Sequence, residues 1–197
     1  MFTNNNEYFF SLLINQNNEN FLLQYEKKFV IIGNMNAVTY KEIFPLIKNN
    51  KMWAGYTFNK TVEFIMHSTY EIIGKGYVDE KGQKHGFVPG VCWFTNLDII
   101  KRKETLELYR KYSPQEYLKY DNYDAIDVNK VSEIPDEYYG IMGVPITFIN
   151  RYNSEQFEII GEANHGSDNE FDLFKPVIDG KEIFKRRFNN CLLIWKR

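Results

Sequence analysis

Residues 28–36, with the sequence KFVIIGNMN, constrain the fold more than any other stretch of the chain. Residues 29–32 are an unbroken apolar run, too short for a helix and typical of a strand covered on both faces in a parallel α/β sheet. Gly33 lets the chain leave this strand, so Asn34 and Asn36 follow directly after its carboxyl end. Ligands bind at that edge of open α/β sheets. We therefore predict that the two asparagines contact a ligand; the alternative is that they cap the turn.

A helix is predicted directly after this strand. Residues 39–42 have the Ser/Thr-x-x-Glu form of a capping box, which predicts a helix from Tyr40 to about Lys48. Pro45 should kink or restart that helix, and residues 49–50 are asparagines that suit its end. A second short helix is predicted at residues 21–25 from the helical spacing of their apolar side chains. A strand between two helices favours an α/β fold.

Other apolar stretches predict strands at residues 52–56, 62–66 and 91–97, with a hairpin over residues 76–88 that turns near Gly82. In the second half, strands are predicted at residues 144–149, 157–160 and 191–195. Asp179 and Gly180 predict a type I′ hairpin. Ser113 is a predicted start of a short helix, since a proline and a glutamate follow it in capping order.

The net charge, the cysteines and the lengths of the apolar runs argue against several classes of protein. The formal net charge of −2 weighs against a self-sufficient nucleic-acid binder, although it allows a local basic patch. Cys92 and Cys191 lie in apolar runs, which predicts buried thiols in a reducing compartment. No apolar run approaches the roughly 20 residues of a membrane span, and no secretory signal is evident. We therefore expect a cytoplasmic protein.

Several blocks of sequence, taken in order, carry a resemblance to a known family. They are residues 28–47, residues 91–97, and residues 119–127 with 143–148 and 156–161. These blocks resemble the EcoRI-type adenine-specific DNA methyltransferases. The resemblance implies a Rossmann-like enzyme that moves a methyl group from S-adenosylmethionine to the N6 of adenine in double-stranded DNA. Such enzymes flip the target base out of the duplex.

The resemblance also implies that this chain is the C-terminal half of such an enzyme. Where the family has Asn-Pro-Pro-Phe after its fourth strand, residues 3–12 read TNNNEYFFSL, and no glycine-rich cofactor turn precedes them. We therefore assign no catalytic residue, and expect a truncated or split enzyme that is inactive alone and pairs with a separate chain carrying the N-terminal half. Residues 29–32 would be the fifth strand, with the sixth near Met52 and the seventh near Val91.

The predicted fold class is accordingly α/β. It combines a partial Rossmann-like methyltransferase sheet, made of the later strands and mixed with an antiparallel hairpin, with a mostly β C-terminal region. The predicted domains are an irregular segment at residues 1–20, a partial methyltransferase-like α/β core at 21–100, and a recognition-like α+β region at 101–197.

The resemblance assigns functions to particular residues. Asn34 and Asn36 become candidates for binding S-adenosylmethionine or the target base. Trp93, Thr95 and Asn96, where the seventh strand ends, become candidates for contacting DNA, although Trp93 also suits a core position.

Cations after residue 97 are candidates for phosphate contacts, which position a duplex without reading its sequence. They are Lys101, Arg102, Lys103, Arg110, Lys111, Arg151 and, near the C-terminus, Lys185, Arg186 and Arg187. Glu104 and Glu107 dilute this basic segment, so a solvated helix face is the alternative.

Other motifs favour structural roles. Asp121, Asp124 and Asp127 lack the glycine turn of a calcium loop and suit turn hydrogen bonds. His67, His85 and His165 show no ligand spacing, and none has an obvious Cys or Asp partner in the sequence, which favours surface or loop positions. Residues 74–76 form only part of a phosphate-binding pattern, so a turn is favoured. Residues 135–136 read Pro-Asp, as in restriction nucleases, but downstream of Asp136 the matching Asp-x-Lys occurs only in the hairpin at Asp179.

Two functions stay open at this point. The first is an adenine-N6 DNA methyltransferase that needs its upstream portion, and the second is a non-catalytic module that binds DNA or a partner protein.

Overall fold

The computed structural model describes residues 7–9, 28–163, 176–182 and 191–197, with residues 7–9 and 191 as backbone alone. In these parts of the chain the structure is mostly β, with mixed and antiparallel sheets and a few short helices. The predicted strand content is therefore confirmed, whereas the long helices that an α/β fold would have are missing from the described residues. The helix predicted at residues 21–25 lies outside them.

The chain divides into two compact units. Unit 1 comprises residues 1–40 and 52–97, and unit 2 comprises residues 41–51 and 98–197. In the described residues of unit 1 the strands are β1 (Glu7–Phe9), β2 (Lys28–Asn34), β3 (Trp53–Ala54), β4 (Val62–Met66), β5 (Tyr77–Val78), β6 (Lys84–Val88) and β7 (Val91–Thr95). No helix in the described ranges has the length and apolarity needed to span a membrane.

The main sheet of unit 1 has the strand order β1-β2-β7-β3. β1 runs parallel to β2, so a strand lies inside the segment 1–20 that was predicted to be irregular. β7 is antiparallel to both β2 and β3, with Ile32 opposite Trp93 and Ala54 opposite Phe94. It follows that β1, β2 and β3 all point in one direction and that β7 alone points the other way.

β2 alternates between two environments. Phe29 and Ile31 are buried, with 2% and 3% exposure, whereas Val30 and Ile32 are half-buried. The second face of this strand is therefore only partly covered, less than the prediction of a strand covered on both faces implies. β-branched side chains also suit the half-exposed face of a sheet, so an unbroken apolar run does not by itself require two covered faces.

The segment after β2 differs from the predicted capped helix. Asn34 caps a 3₁₀ helix, Met35–Thr39, and the Thr39 hydroxyl donates to the Asn36 carbonyl rather than forming a capping box. Helix α1, Phe44–Lys48, then starts in unit 2 with Pro45 in its first turn. Pro45 was predicted to kink or restart a helix that begins at Tyr40; instead the helix itself begins beside this proline, which lacks only an N–H that the first turn leaves unpaired.

The three-stranded sheet β4-β6-β5 lies within residues 62–88 and is hereafter called the arm. Its strands and hairpin confirm the predictions for this region, and Gly82 takes a positive φ of 76° in the turn. β6 passes through a two-residue turn at Gly90 into β7. The arm therefore leaves the main sheet after β3 and returns to it at β7.

Unit 2 contains a second sheet. Its strands, among the described residues, are β8 (Ala125–Asp127), β9 (Ile141–Pro145), β10 (Phe157–Ala163), the hairpin β11 (Val177–Ile178) and β12 (Lys181–Glu182), and β13 (Cys191–Lys196). The sheet order is β10-β13-β9-β8. Asp179 and Gly180 both have positive φ, which confirms the predicted type I′ turn.

Two predictions in unit 2 are wrong. The strand predicted at residues 144–149 ends at Pro145, and a 3₁₀ helix, Ile146–Arg151, follows. Proline has no N–H to continue a strand ladder, so it can close a strand as well as open one. Ser113 does not begin a helix, because its carbonyl and hydroxyl accept hydrogen bonds within one isolated turn.

The core of unit 2 forms where this 3₁₀ helix meets β10. Phe148 and Phe157 are fully buried, with an edge-to-face geometry at 5.1 Å between ring centroids. Burying each such side chain contributes about 1.5–3 kcal/mol. This packing fixes the helix end that carries Arg151.

Candidate cofactor and DNA-binding sites

The carboxyl ends of β2 and β3 lie at one edge of the main sheet in unit 1, since the two strands point the same way. β7 begins at this edge, where Val91 is opposite Asn34. The Met35 N–H donates to the Gly90 carbonyl at 2.7 Å, and the Asn59 N–H approaches the Met35 sulfur at 3.2 Å. The predicted ligand edge is thus a defined surface, bordered by the turns after β2 and β3.

Asn34 and Asn36 both lie at this edge and are exposed. Asn34 Oδ1 accepts the Asn36 backbone N–H at 2.8 Å, which is the turn-capping role that the sequence left as the alternative. The cap leaves the Asn34 amide N–H groups and the Asn36 side chain on the surface. Their predicted contact with a cofactor stays a prediction.

The donor chemistry at this edge fits only part of S-adenosylmethionine. Exposed amides suit its amino, carboxylate and hydroxyl groups. A ribose is commonly bound by a carboxylate in dinucleotide folds, and residues 33–40 and 55–60 contain no acidic residue. Asn34 and Asn36 can therefore hold a polar part of the cofactor but do not form a complete site.

Thr95 and Asn96 hold the beginning of β2. The Thr95 hydroxyl donates to the Phe29 carbonyl at 2.6 Å and accepts the Leu97 N–H at 3.0 Å. Asn96 Oδ1 accepts the Phe29 N–H at 2.9 Å. Thr95 is only 5% exposed, so a DNA contact by its hydroxyl would require these strand ends to separate.

Trp93 is half-buried and lies opposite Ile32 in the main sheet. Its backbone joins the turn after β3, since the Trp93 N–H donates to the Thr57 hydroxyl at 3.1 Å and its carbonyl accepts the Gly55 N–H at 2.7 Å. The indole contact with DNA predicted for this residue stays a prediction.

Sequence reasoning missed Tyr56. This residue follows β3 at the same edge as Asn34 and is 52% exposed. An exposed aromatic ring at a ligand edge can stack on a base or another planar ligand. The signal in the sequence was an aromatic residue with a hydroxyl at the end of the strand predicted at residues 52–56.

In unit 2, residues 101–106 cross the surface as a segment that we call the basic strap. Amide side chains bind both of its first cations. Lys101 Nζ donates to Asn150 Oδ1 at 2.5 Å, and an Arg102 terminal nitrogen donates to Asn50 Oδ1 at 2.8 Å. Both acceptors are neutral amides, so these two bonds position the cations without adding a negative charge beside them.

Side chains from outside the basic strap bind the backbone at its C-terminal end. Gln156 Oε1 accepts the Leu106 N–H and Gln156 Nε2 donates to the Leu106 carbonyl, both at 2.8 Å. Asn153 Nδ2 donates to the Glu104 carbonyl at 3.4 Å. Amides from the 3₁₀ helix and the following turn therefore fix the strap at several points.

The hydroxyl of Tyr152 lies near the cation Arg102 of the strap and near Arg197. Burial raises the pKa of the Tyr152 hydroxyl, and Arg197 and Arg102 oppose that rise. Burial lowers the pKa of the Arg102 guanidinium, whereas Asp98 raises it. Arg151 is exposed and lies in the chain between Tyr152 and Asn150, the residue that binds Lys101. The structure thus brings Lys101, Arg102 and Arg151 into one region of unit 2.

Arg110 has different surroundings. It lines a cavity of about 260 Å³, together with Glu116, Tyr117, Asp127, Asn129 and Glu133. Its carbonyl accepts the Asp136 N–H at 2.9 Å. The carboxylates in this cavity lower its affinity for a phosphate, so Arg110 differs from the strap cations.

His85 lies in a cluster that the sequence did not predict. Its Nδ1 is 2.8 Å from Glu63 Oε1, its Nε2 is 3.3 Å from Asp79 Oδ2, and its side chain is only 14% exposed. Tyr77 stacks on the ring at 4.7 Å between centroids and donates to Glu63. The prediction of a surface or loop position is wrong for His85, because it lies in strand β6 and faces Glu63 on the neighbouring strand β4.

The three regularly spaced aspartates face separate partners. Asp121 accepts the Gly180 N–H at 2.9 Å, Asp124 pairs with Lys119 at 3.1 Å, and Asp127 accepts the Tyr120 hydroxyl. Within the described ranges no group of His, Cys, Asp or Glu side chains is arranged to hold a metal. Cys92 carries a buried thiol, whereas the side chain of Cys191 lies outside the described residues. His165 and Lys185, Arg186 and Arg187 also lie outside it.

The family model and several relatives that match this chain are all methyltransferases. Residues 8–190 match the family described as adenine-specific methyltransferase EcoRI. The chain is 49% identical over 143 residues to the type II methyltransferase M.EcoRI of Escherichia coli, a match that covers 71% of this chain and 44% of the relative. It is 40% identical over 144 residues to M.MgeORF184P of Mycoplasma genitalium and to M.MpnI of Mycoplasma pneumoniae, covering 71% of this chain and 45% of each relative. The chain therefore spans less than half the length of these relatives, and no solved structure matches it.

Proposed function

The chain belongs to the family of the adenine-specific methyltransferase EcoRI, and from this premise we propose that it takes part in methylating the N6 of adenine in duplex DNA. S-adenosylmethionine is the proposed methyl donor, and the cytoplasm is the proposed location. In this proposal the chain supplies the later strands of the catalytic sheet together with DNA-binding surfaces.

The direction of the strands in unit 1 is the observation that carries the proposal. β1, β2 and β3 point the same way, and β7 is inserted between β2 and β3 in the opposite direction. In doubly wound sheets the fourth and fifth strands are parallel neighbours, and ligands bind beyond the carboxyl ends. β1 and β2 have the positions of such a pair, and β3 and β7 suit the sixth and seventh strands.

Each group at the carboxyl edge then has a stated function. S-adenosylmethionine supplies an electrophilic methyl group when bound. The surface amides of Asn34 and Asn36 bind polar groups of this cofactor, and the half-exposed ring of Tyr56 stacks on the extruded adenine. A base inside a duplex cannot reach such an edge, so extrusion is part of the proposal.

DNA backbone contacts are assigned to unit 2. Lys101 and Arg102 are positioned by neutral amides, and Arg151 is exposed at the end of a 3₁₀ helix. Cations of this kind bind phosphates and orient a duplex without reading its sequence. Arg110, surrounded by carboxylates, adds least to this surface.

The proposal covers only the part of a family member that this chain matches. A family member with all of its parts would carry the glycine-rich turn and the Asn-Pro-Pro-Phe motif, whereas the match to M.EcoRI covers 44% of that relative. We therefore assign transfer activity to this chain only when a second polypeptide supplies those motifs.

Calorimetry and methyl transfer test this function together. S-adenosylmethionine is titrated into the full chain, and tritium transfer to duplex DNA is measured with and without the part of M.EcoRI that lies outside the match. We expect transfer only in the mixture, with the label on adenine N6. Absence of transfer in the mixture, together with no heat at millimolar cofactor, would overturn the proposal.

The second candidate is a non-catalytic DNA-binding module, which the basic strap favours. The same experiment distinguishes it, because such a module binds duplex DNA but gives no cofactor heat and no transfer in any combination.

A further inference from the structure

The outer end of the arm contains a cavity that the proposed function has not used. The cavity has a volume of about 680 Å³ and lies between the turn at residues 67–70 and the turn at residues 79–83 with the start of β6. Its polar lining consists of His67, Ser68, Lys81, Gln83 and Lys84. No carboxylate lines it, so its charge is positive.

Lys84 is held in place for binding an anion. Its Nζ donates to the carbonyls of Ser68 at 2.7 Å and Tyr70 at 2.8 Å. Both acceptors are neutral, and no acidic side chain among the described residues pairs with this ammonium. An ammonium has three N–H donors, so one donor stays available for a ligand.

Lys81 adds a second ammonium group, and His67 adds an imidazole ring whose N–H can donate a hydrogen bond. Both side chains are exposed on the cavity rim. The carboxylate of Asp79, in the neighbouring turn, faces inward, because its Oδ1 accepts the backbone N–H groups of Lys81 and Gln83 at 2.9 and 2.8 Å and its Oδ2 faces His85. The Asp79 carboxylate therefore interacts with the turn and with His85 and does not line the cavity.

The position of the cavity suits the backbone of a bound duplex. β4 runs away from the carboxyl edge of the main sheet, and its five residues span roughly 15 Å at the usual rise of a strand. This length corresponds to about four base-pair steps at 3.4 Å each. A cation cluster at that distance lies within reach of the phosphates that flank a base held at the edge.

We propose that this cavity binds a phosphodiester of the duplex through Lys84, Lys81 and His67, so that the arm acts as a second anchor for DNA. The inference rests on the proposed function, because DNA is its ligand. A phosphodiester only accepts hydrogen bonds, which matches a lining rich in donors and without carboxylates. Ser68 can donate its hydroxyl to the same group.

The test measures affinity of the full chain for a fluorescein-labelled 20-base-pair duplex by anisotropy, between 50 and 300 mM NaCl. Lys81→Gln removes a proposed contact. Lys75→Gln is the matched control, because Lys75 is exposed on the same arm but outside the cavity. Losing one phosphate contact lowers the salt slope by about 0.9, which amounts to roughly eightfold weaker binding at 0.1 M salt. We expect this change for Lys81→Gln and none for Lys75→Gln.

A second readout separates the possible outcomes. The His67 ring resonances are followed by NMR while duplex or inorganic phosphate is added. Duplex binding with equal slopes for both variants and no shift at His67 would overturn the inference and leave the proposed function intact. Shifts with inorganic phosphate but no duplex binding would support an anion site and contradict the proposed function. Absence of binding to either would overturn both.

Discussion

The end of β7 in unit 1 and the basic strap in unit 2 use polar side chains in opposite ways. At the end of β7, Thr95 and Asn96 direct their side chains into the sheet and bind both backbone groups of Phe29. In the strap, neutral amides bind the cations Lys101 and Arg102 from beside them. Residue types suited to DNA contact therefore serve folding in the first region and present charge in the second.

The largest expected effect tests the structural role of the β7 end. Thr95→Val leaves the Phe29 carbonyl and the Leu97 N–H without their partner, and an unpaired buried group costs about 1–3 kcal/mol. We expect the free energy of unfolding to fall by about 2 kcal/mol, measured by urea denaturation. DNA affinity per folded molecule should stay unchanged; a loss of affinity without a loss of stability would assign Thr95 to the DNA interface instead.

Releasing the strap should have the next largest effect. Gln156→Ala removes both hydrogen bonds to the Leu106 backbone, at about 1 kcal/mol each at most. We expect faster amide exchange at Leu106 and weaker DNA binding, because the strap cations lose their fixed position. The neighbouring, exposed Glu155→Ala is the control. Equal exchange rates in the two variants would show that Gln156 does not fix the strap.

A charge test compares two cations of unit 2. Arg151 is exposed, whereas Lys103 is paired with Asp98 at 2.7 Å. Arg151→Gln should weaken duplex binding roughly eightfold at 0.1 M salt and lower the salt slope by about 0.9, whereas Lys103→Gln should change either value less. The opposite ranking in salt-dependent anisotropy would move the interface away from Arg151.

The smallest expected effect concerns pH and the arm. Hydrogen bonding from the Gln83 N–H lowers the pKa of Asp79 below its usual 3.8. A lowered pKa in the folded state adds stability above pH 3.8, which is lost as pH falls through the folded-state pKa. The protection factor of the Gln83 amide, which corrects exchange for its intrinsic dependence on pH, should therefore fall below about pH 4 in the wild type. Asp79→Asn should remove this acid-dependent step, and an unchanged step would assign it to another carboxyl.

The sequence predicted local structure best where one residue determines the backbone. The positive φ values of Asp179 and Gly180 follow from their chemistry, and residues 62–66 form the strand that their pattern predicts. Prediction failed where two local signals compete. Asn34 caps a 3₁₀ helix, and this helix takes the place of the capping box predicted at Thr39. Pro145 ends its strand although the apolar residues continue beyond it.

The candidate sites were predictable only in part. The carboxyl edge follows from the position of Asn34 after an apolar strand. The His85 cluster, the cavity of the arm and the amides that hold the strap depend on residues distant in sequence, such as Asn50 beside Arg102. The hydrophobic periodicity of a single segment does not predict such contacts, because they form between segments that are far apart in the sequence.

The salt dependence of duplex binding tests the central claim most directly. The proposed phosphate contacts in the strap, at Arg151 and in the arm predict that log Kobs for the full chain falls against log salt with a slope of about −4. A slope near zero, or no binding at 50 mM salt, would contradict the assignment of DNA contacts to this chain.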